Sequence, residues 1–127
     1  MMTAPTIFAS RLKQARLQAG LTQMQLGVAA HIDEYSASAR INQYERGKHW
    51  PDFGTEERLA KVMGIPAAFF YATDDALAEW IFKFDRLNAR NRARLLKMAD
   101  DLAEGTPGAE KSEKRIGSPP SPGRTLR

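Results

Sequence analysis

Apolar residues recur every three to four positions along most of the chain, a spacing that predicts helices and no strand. Phe8, Leu12 and Ala15 share one face of a first helix over 6–19, which Gly20 stops. Thr22 is a natural N-cap for a second helix over 23–30 that buries Leu26. A polar connection over 31–35 leads to a third helix starting at Ser36 and ended by Gly47. Asp52 caps a fourth, in which Leu59, Val62 and Met63 face inward until Gly64. Pro66 suits the first position of a short fifth helix carrying Phe69 and Phe70. Asp74 or Asp75 opens a sixth, with Leu77, Trp80, Ile81 and Phe84 on one stripe, and Asn88 caps a seventh, with Leu95, Ala99 and Leu102 at helical spacing. The glycines at 20, 47, 64 and 105 each fall just past a periodic segment, so stop signals and apolar spacing agree on an all-α fold.

From Gly105 the composition turns to Gly, Pro, Ser and basic residues, a segment that buries too little apolar surface to offset its ordering entropy. The expected organisation is a five-helix unit over 1–73, a two-helix extension over 74–104 and a disordered basic tail over 105–127. The net charge of +4 is concentrated in that tail, which holds five basic and two acidic residues. Charge alone therefore does not point the folded part toward nucleic acid. With no cysteine and two histidines, His31 and His49, neither a disulfide framework nor a metal cluster is expected. No signal peptide is recognisable and no apolar run reaches the ~18 residues that span a bilayer, so the expected location is the cytoplasm with no membrane partner. No Ser/His/Asp or Cys/His set and no Gly-rich phosphate loop is present, so neither an enzyme nor a cofactor is expected. About 33 residues separate Tyr71 from the tail, too few for a domain that senses a small-molecule ligand.

The third helix carries the candidate chemistry. Two short helices that cross steeply need a small residue at the crossing, and Gly27 supplies one. Ile32 and Ile41 then fill the wedge between them. Turning Ile41 and Tyr44 inward leaves Ser38, Ala39, Arg40, Asn42 and Gln43 outward or sideways, a face with no acid among them. Such a face suits the floor of a DNA major groove, ~12 Å wide, where every base pair shows its own donor and acceptor pattern. Arg40 would take a guanine bidentately, Gln43 or Asn42 an adenine, and Ala39 a thymine methyl or a close approach. Ser36 at the helix start, with Lys48 and His49 after its end, would meet the sugar-phosphate backbone.

The run Leu21-Thr22-Gln23, Leu26-Gly27, Ile32 and Ile41-Asn42-Gln43-Tyr44-Glu45-Arg46-Gly47-Lys48 resembles the helix-turn-helix of the Cro/repressor (Xre-type) family, a likeness that extends over residues 8–71. The resemblance implies a sequence-specific double-stranded DNA-binding regulator of transcription, with the helix near 36–46 in the groove. It also implies a structural ion pair between Arg16 and Glu45, and a Gln23 that touches phosphate and braces the reading helix. Pro51 fits the pattern too. The chain departs from the family at the turn: His31 stands where the family has glycine, and the connection is about four residues longer, through Asp33, Glu34, Tyr35 and Ser36.

The seventh helix has an unusual charge order, with Arg90, Arg92, Arg94 and Lys97 first and Asp100, Asp101 and Glu104 last. This opposes the helix macrodipole. Two antiparallel copies about a two-fold axis would match each basic half with an acidic one, so a homodimer reading a palindromic operator is one expectation. A plain cover for the monomer core is the equal alternative. For the whole chain the competing function is an antitoxin-like or adaptor protein whose C-terminal helices bind a protein partner.

Overall fold

Local hydrogen bonds fix where most of the helices begin. In the computed structural model, which describes residues 4–105, the elements are α1 (Ala4–Gln18), α2 (Gln23–Ala29), α3 (Ala37–Glu45), α4 (Phe53–Met63), a 3₁₀ helix (Ala67–Tyr71), α5 (Asp75–Asp85) and α6 (Ala89–Gly105). The fold is all-helical, with no strand among the described residues. The tail beyond Gly105 lies outside them. Thr22 accepts from the Gln25 N–H at 3.0 Å while the Gln25 side chain accepts from the Thr22 N–H at 2.9 Å, a reciprocal cap on α2. Asp52 caps α4 through the Thr55 N–H, and this bond lowers its carboxyl pKa below the usual range. Asp74, not Asp75, caps α5 through the Leu77 N–H, and Asn88 caps α6 through the Asn91 N–H.

Several boundaries differ from the sequence reading: the second helix ends at Ala29 rather than at 30, and Gly105 is the last residue of α6 rather than a stop beyond it. Pro66 is the cap of the fifth element rather than its first residue, and that element is a 3₁₀ helix. The first helix spans Ala4–Gln18 rather than 6–19. Helix α3 begins at Ala37 because Asp33 closes the preceding turn. The Asp33 carboxylate accepts from the Tyr35 N–H at 3.0 Å and its carbonyl from the Ser36 N–H at 3.0 Å. Ser36 is left as an N-cap whose side chain makes no capping bond.

Two compact units divide the chain, one running to Arg86 and the other beginning at Leu87. In the first, Phe8 and Leu12 of α1, Leu26 of α2, Ile41 of α3, Leu59 of α4 and Phe69 and Phe70 of the 3₁₀ helix form one buried core. Helix α5 joins it through buried Ala78, with Ile81 and Phe82 packed alongside, while Leu77 and Trp80 stay exposed. Arg11 is buried and donates from Nε to the Ala72 carbonyl at 3.1 Å and from its terminal nitrogen to Asp75 at 3.1 Å. It thereby ties α1 to the start of α5. In the second unit no residue of α6 is buried. No helix among the described residues is long and apolar enough to cross a membrane.

Candidate nucleic-acid interface

The α2–α3 pair is set by contact at a single glycine. A Cβ on Gly27 would lie 2.7 Å from the Ala37 Cβ, closer than packed atoms allow, and 3.1 Å from the Ala37 Cα and carbonyl oxygen, tighter than most packed contacts. The Ile32 N–H returns to the Gly27 carbonyl at 2.9 Å, which closes α2. His31 sits between them at φ 72°, in the left-handed region that glycine occupies at no steric cost.

With Ala37, Ile41 and Tyr44 buried, α3 leaves Ser38, Ala39 and Arg40 exposed. Asn42 and Gln43 are half-buried, as is Ser36. At the far end Gly47 adopts φ 73° and reverses the chain, so the Lys48 N–H reaches back to the Gln43 carbonyl at 2.9 Å. Lys48 and His49 are thereby held, exposed, beside the last turn of α3.

A network under that turn fixes its orientation. Arg16 donates from Nε to Glu45 Oε2 at 2.5 Å and from Nη2 to Oε1 at 3.0 Å, a bidentate pair, and from Nη1 to the Leu21 carbonyl at 2.9 Å. The Glu45 side chain is 3% exposed, so little water competes for the bond. The same carboxylate raises the guanidinium's already high pKa, outweighing the opposing effect of burial. Gln23 donates from its amide nitrogen to Glu45 Oε1 at 3.1 Å and to Asn42 Oδ1 at 3.3 Å. Both N–H groups of that amide are thus committed within the protein. Gln23 braces α3 in this arrangement, and a phosphate contact through its side chain would require one of the two bonds to be released.

Sequence reasoning missed a second anchor. Trp50 donates from its indole N–H to Glu56 Oε2 at 2.9 Å and lies 3.2 Å from the Tyr71 hydroxyl, which itself donates to Glu56 Oε2 at 2.8 Å. Burial and the Glu56 carboxylate together push the Tyr71 pKa up. The Trp50 and Tyr71 rings also pack near Phe8, with centroids 6.5 and 6.1 Å away. The Lys48–His49 segment is therefore pinned on both sides, by Gln43 and by Trp50. The one available signal was a tryptophan directly after two polar residues and directly before Pro51.

The helix-turn-helix domain family matches residues 7–68 of the chain. No curated protein matches it. Among solved structures, the crystal structure of the transcriptional regulator BswR is 43% identical, with a TM-score of 0.73 over 76% of this chain and 96% of that one. The chain belongs to the Xre-type helix-turn-helix family. Within that family's frame α2 and α3 are the two motif helices, and the exposed edge of α3 is the candidate reading surface. The turn before α3 is ordered by Asp33 and leaves Tyr35 exposed.

Proposed function

We propose that this protein regulates transcription by binding a specific double-stranded DNA site, with α3 in the major groove. What carries the reading is the placement of Ser38, Ala39 and Arg40 on an open face of a helix braced from beneath by Arg16, Gln23 and Glu45. Preorganisation of this kind lets binding proceed without the cost of ordering the reading helix. Arg40 takes a guanine edge, Gln43 or Asn42 an adenine, and Ala39 a thymine methyl. Ser36, Lys48 and His49 meet phosphate and set the register, with Gln23 joining them if its amide is released. Residues 1–73 carry the DNA-reading function and residues 74–104 the pairing of subunits. The protein acts in the cytoplasm as a repressor, by occupying its operator.

The operator is palindromic because the protein binds as a homodimer. A 17-residue helix with no buried residue is marginal alone, and its basic-then-acidic charge order complements an antiparallel copy of itself. Light scattering on the full chain is expected to give twice the 14.2 kDa chain mass. Reversing Arg90, Arg94 and Lys97 to glutamate should give monomers, and reversing Asp100, Asp101 and Glu104 to lysine as well should restore the dimer. A wild-type monomer, or a dimer indifferent to the reversals, would remove α6 from the account.

The function itself is tested by selection from randomised duplex DNA at physiological salt. Enrichment of a palindrome with half-sites about one helical turn apart, ~34 Å, is expected. A pool that emerges with no preferred sequence would overturn sequence-specific regulation.

A further inference from the structure

We infer that Tyr35, supplied by the turn before α3, is a specificity-determining residue that reads a thymine methyl in the major groove, next to the base pairs met by α3. The inference rests on the DNA-reading proposal above and deepens it. Tyr35 is 91% exposed, the most open of the large hydrophobic residues among the described ones. A ring that open is not there to support the core. Its backbone, by contrast, is fixed: the Asp33 carboxylate holds the Tyr35 N–H, and the Ser36 carbonyl accepts the first α3 bond, from Arg40 at 2.8 Å.

Position decides what the ring faces. Tyr35 lies in the turn, two residues before α3 begins at Ala37 and three before Ser38, the first exposed residue of that helix. The turn thus sets an exposed ring beside the N-terminal end of α3, the end of a recognition helix whose residues meet base edges. Asp33 and Glu34 precede Tyr35 in the turn, both exposed, and two carboxylates on this short segment disfavour a seat on phosphate. The apolar ring face gains most by leaving water, and the thymine C5-methyl is the apolar group that the major-groove floor offers.

The test uses the full-length protein and the duplex it enriches from a random pool. Each thymine of that duplex is replaced in turn by deoxyuridine, which removes the methyl and keeps the base pair. Wild type is expected to lose about fivefold to tenfold in affinity at one thymine of each half-site, at the flank of the α3 contacts. Tyr35→Ala should lose a similar factor on the unmodified duplex and become insensitive to that replacement, whereas Tyr35→Phe should behave as wild type. Urea unfolding midpoints should match, because the ring supports nothing beneath it. Three results would overturn the inference: unchanged sensitivity to deoxyuridine in Tyr35→Ala, a loss in Tyr35→Phe equal to that in Tyr35→Ala, or an equal loss on unrelated duplexes. Arg40→Ala with Gln43→Ala separates this failure from a wider one. If that variant loses the site and Tyr35→Ala does not, only the inference falls; if neither loses it, the DNA-reading proposal falls as well.

Discussion

Replacing Glu45 by alanine is expected to lower the unfolding free energy by about 3–5 kcal/mol, the cost of leaving a buried charge without its partner. Arg16 is 8% exposed, and Glu45 satisfies two of its guanidinium nitrogens. Without the carboxylate only the bond to the Leu21 carbonyl remains. Gln23 loses an acceptor in the same step, so the brace on α3 slackens where the helix ends. Exposed ion pairs are worth about 0–1 kcal/mol, so the size of the effect distinguishes the two situations. Glu45→Gln keeps one acceptor oxygen and should be milder than Glu45→Ala. Urea denaturation gives the comparison, and a loss below about 1 kcal/mol for Glu45→Ala would show that the pair is not structural.

The second large effect is expected at Gly27. Helix propensity favours alanine over glycine by about 1 kcal/mol, so Gly27→Ala in an isolated helix would stabilise. Here the added methyl meets the Ala37 Cβ at 2.7 Å and the Ala37 backbone at 3.1 Å, and backbone cannot swing aside as a long side chain can. Overpacking of this kind costs about 1–3 kcal/mol, which outweighs the propensity gain. Gly27→Leu should prevent the α2–α3 crossing and abolish binding to any enriched site. Adding Ala37→Gly to Gly27→Ala removes the closest clash and leaves the backbone contacts, so partial recovery is expected. A double-mutant cycle on thermal unfolding measures that coupling, and purely additive effects would show that the two residues do not meet.

Much of the fold was legible because its signals are local. Thr22, Asp52 and Asn88 were readable as caps because each accepts a bond from an N–H three residues ahead, and Gly64 as a stop because only a left-handed residue ends α4 so sharply. Gly27 was readable because the crossing of two short helices demands a small residue. The start of α3 was misplaced by one residue because Ser36 and Asp33 compete for the same role, and Asp33 holds the turn through both its carboxylate and its carbonyl. Arg11 and the Trp50–Glu56–Tyr71 set were missed for a different reason. Periodicity marks Arg11 and Glu56 as polar and therefore exposed, yet both are buried against partners that the sequence does not place beside them. Arg11 meets Ala72 and Asp75, more than sixty residues away. On the reading face, helical spacing identified which residues of α3 avoid the core. It did not identify the commitment of the Gln23 amide to Glu45 and Asn42, which follows from how α2 crosses α3.

The most direct test of α3 as a sequence-reading helix is a fluorescence-anisotropy titration of the wild type and of Arg40→Ala with Gln43→Ala. Each is measured against the enriched duplex and a scrambled duplex at several salt concentrations. Two lost base contacts should weaken binding to the enriched duplex by about 100-fold. Binding to the scrambled duplex should stay weak and salt-sensitive in both proteins, since the phosphate contacts proposed for Lys48 do not depend on sequence. Equal affinity of the two proteins for the enriched duplex would contradict the account, because α3 would then not be the element that reads the sequence.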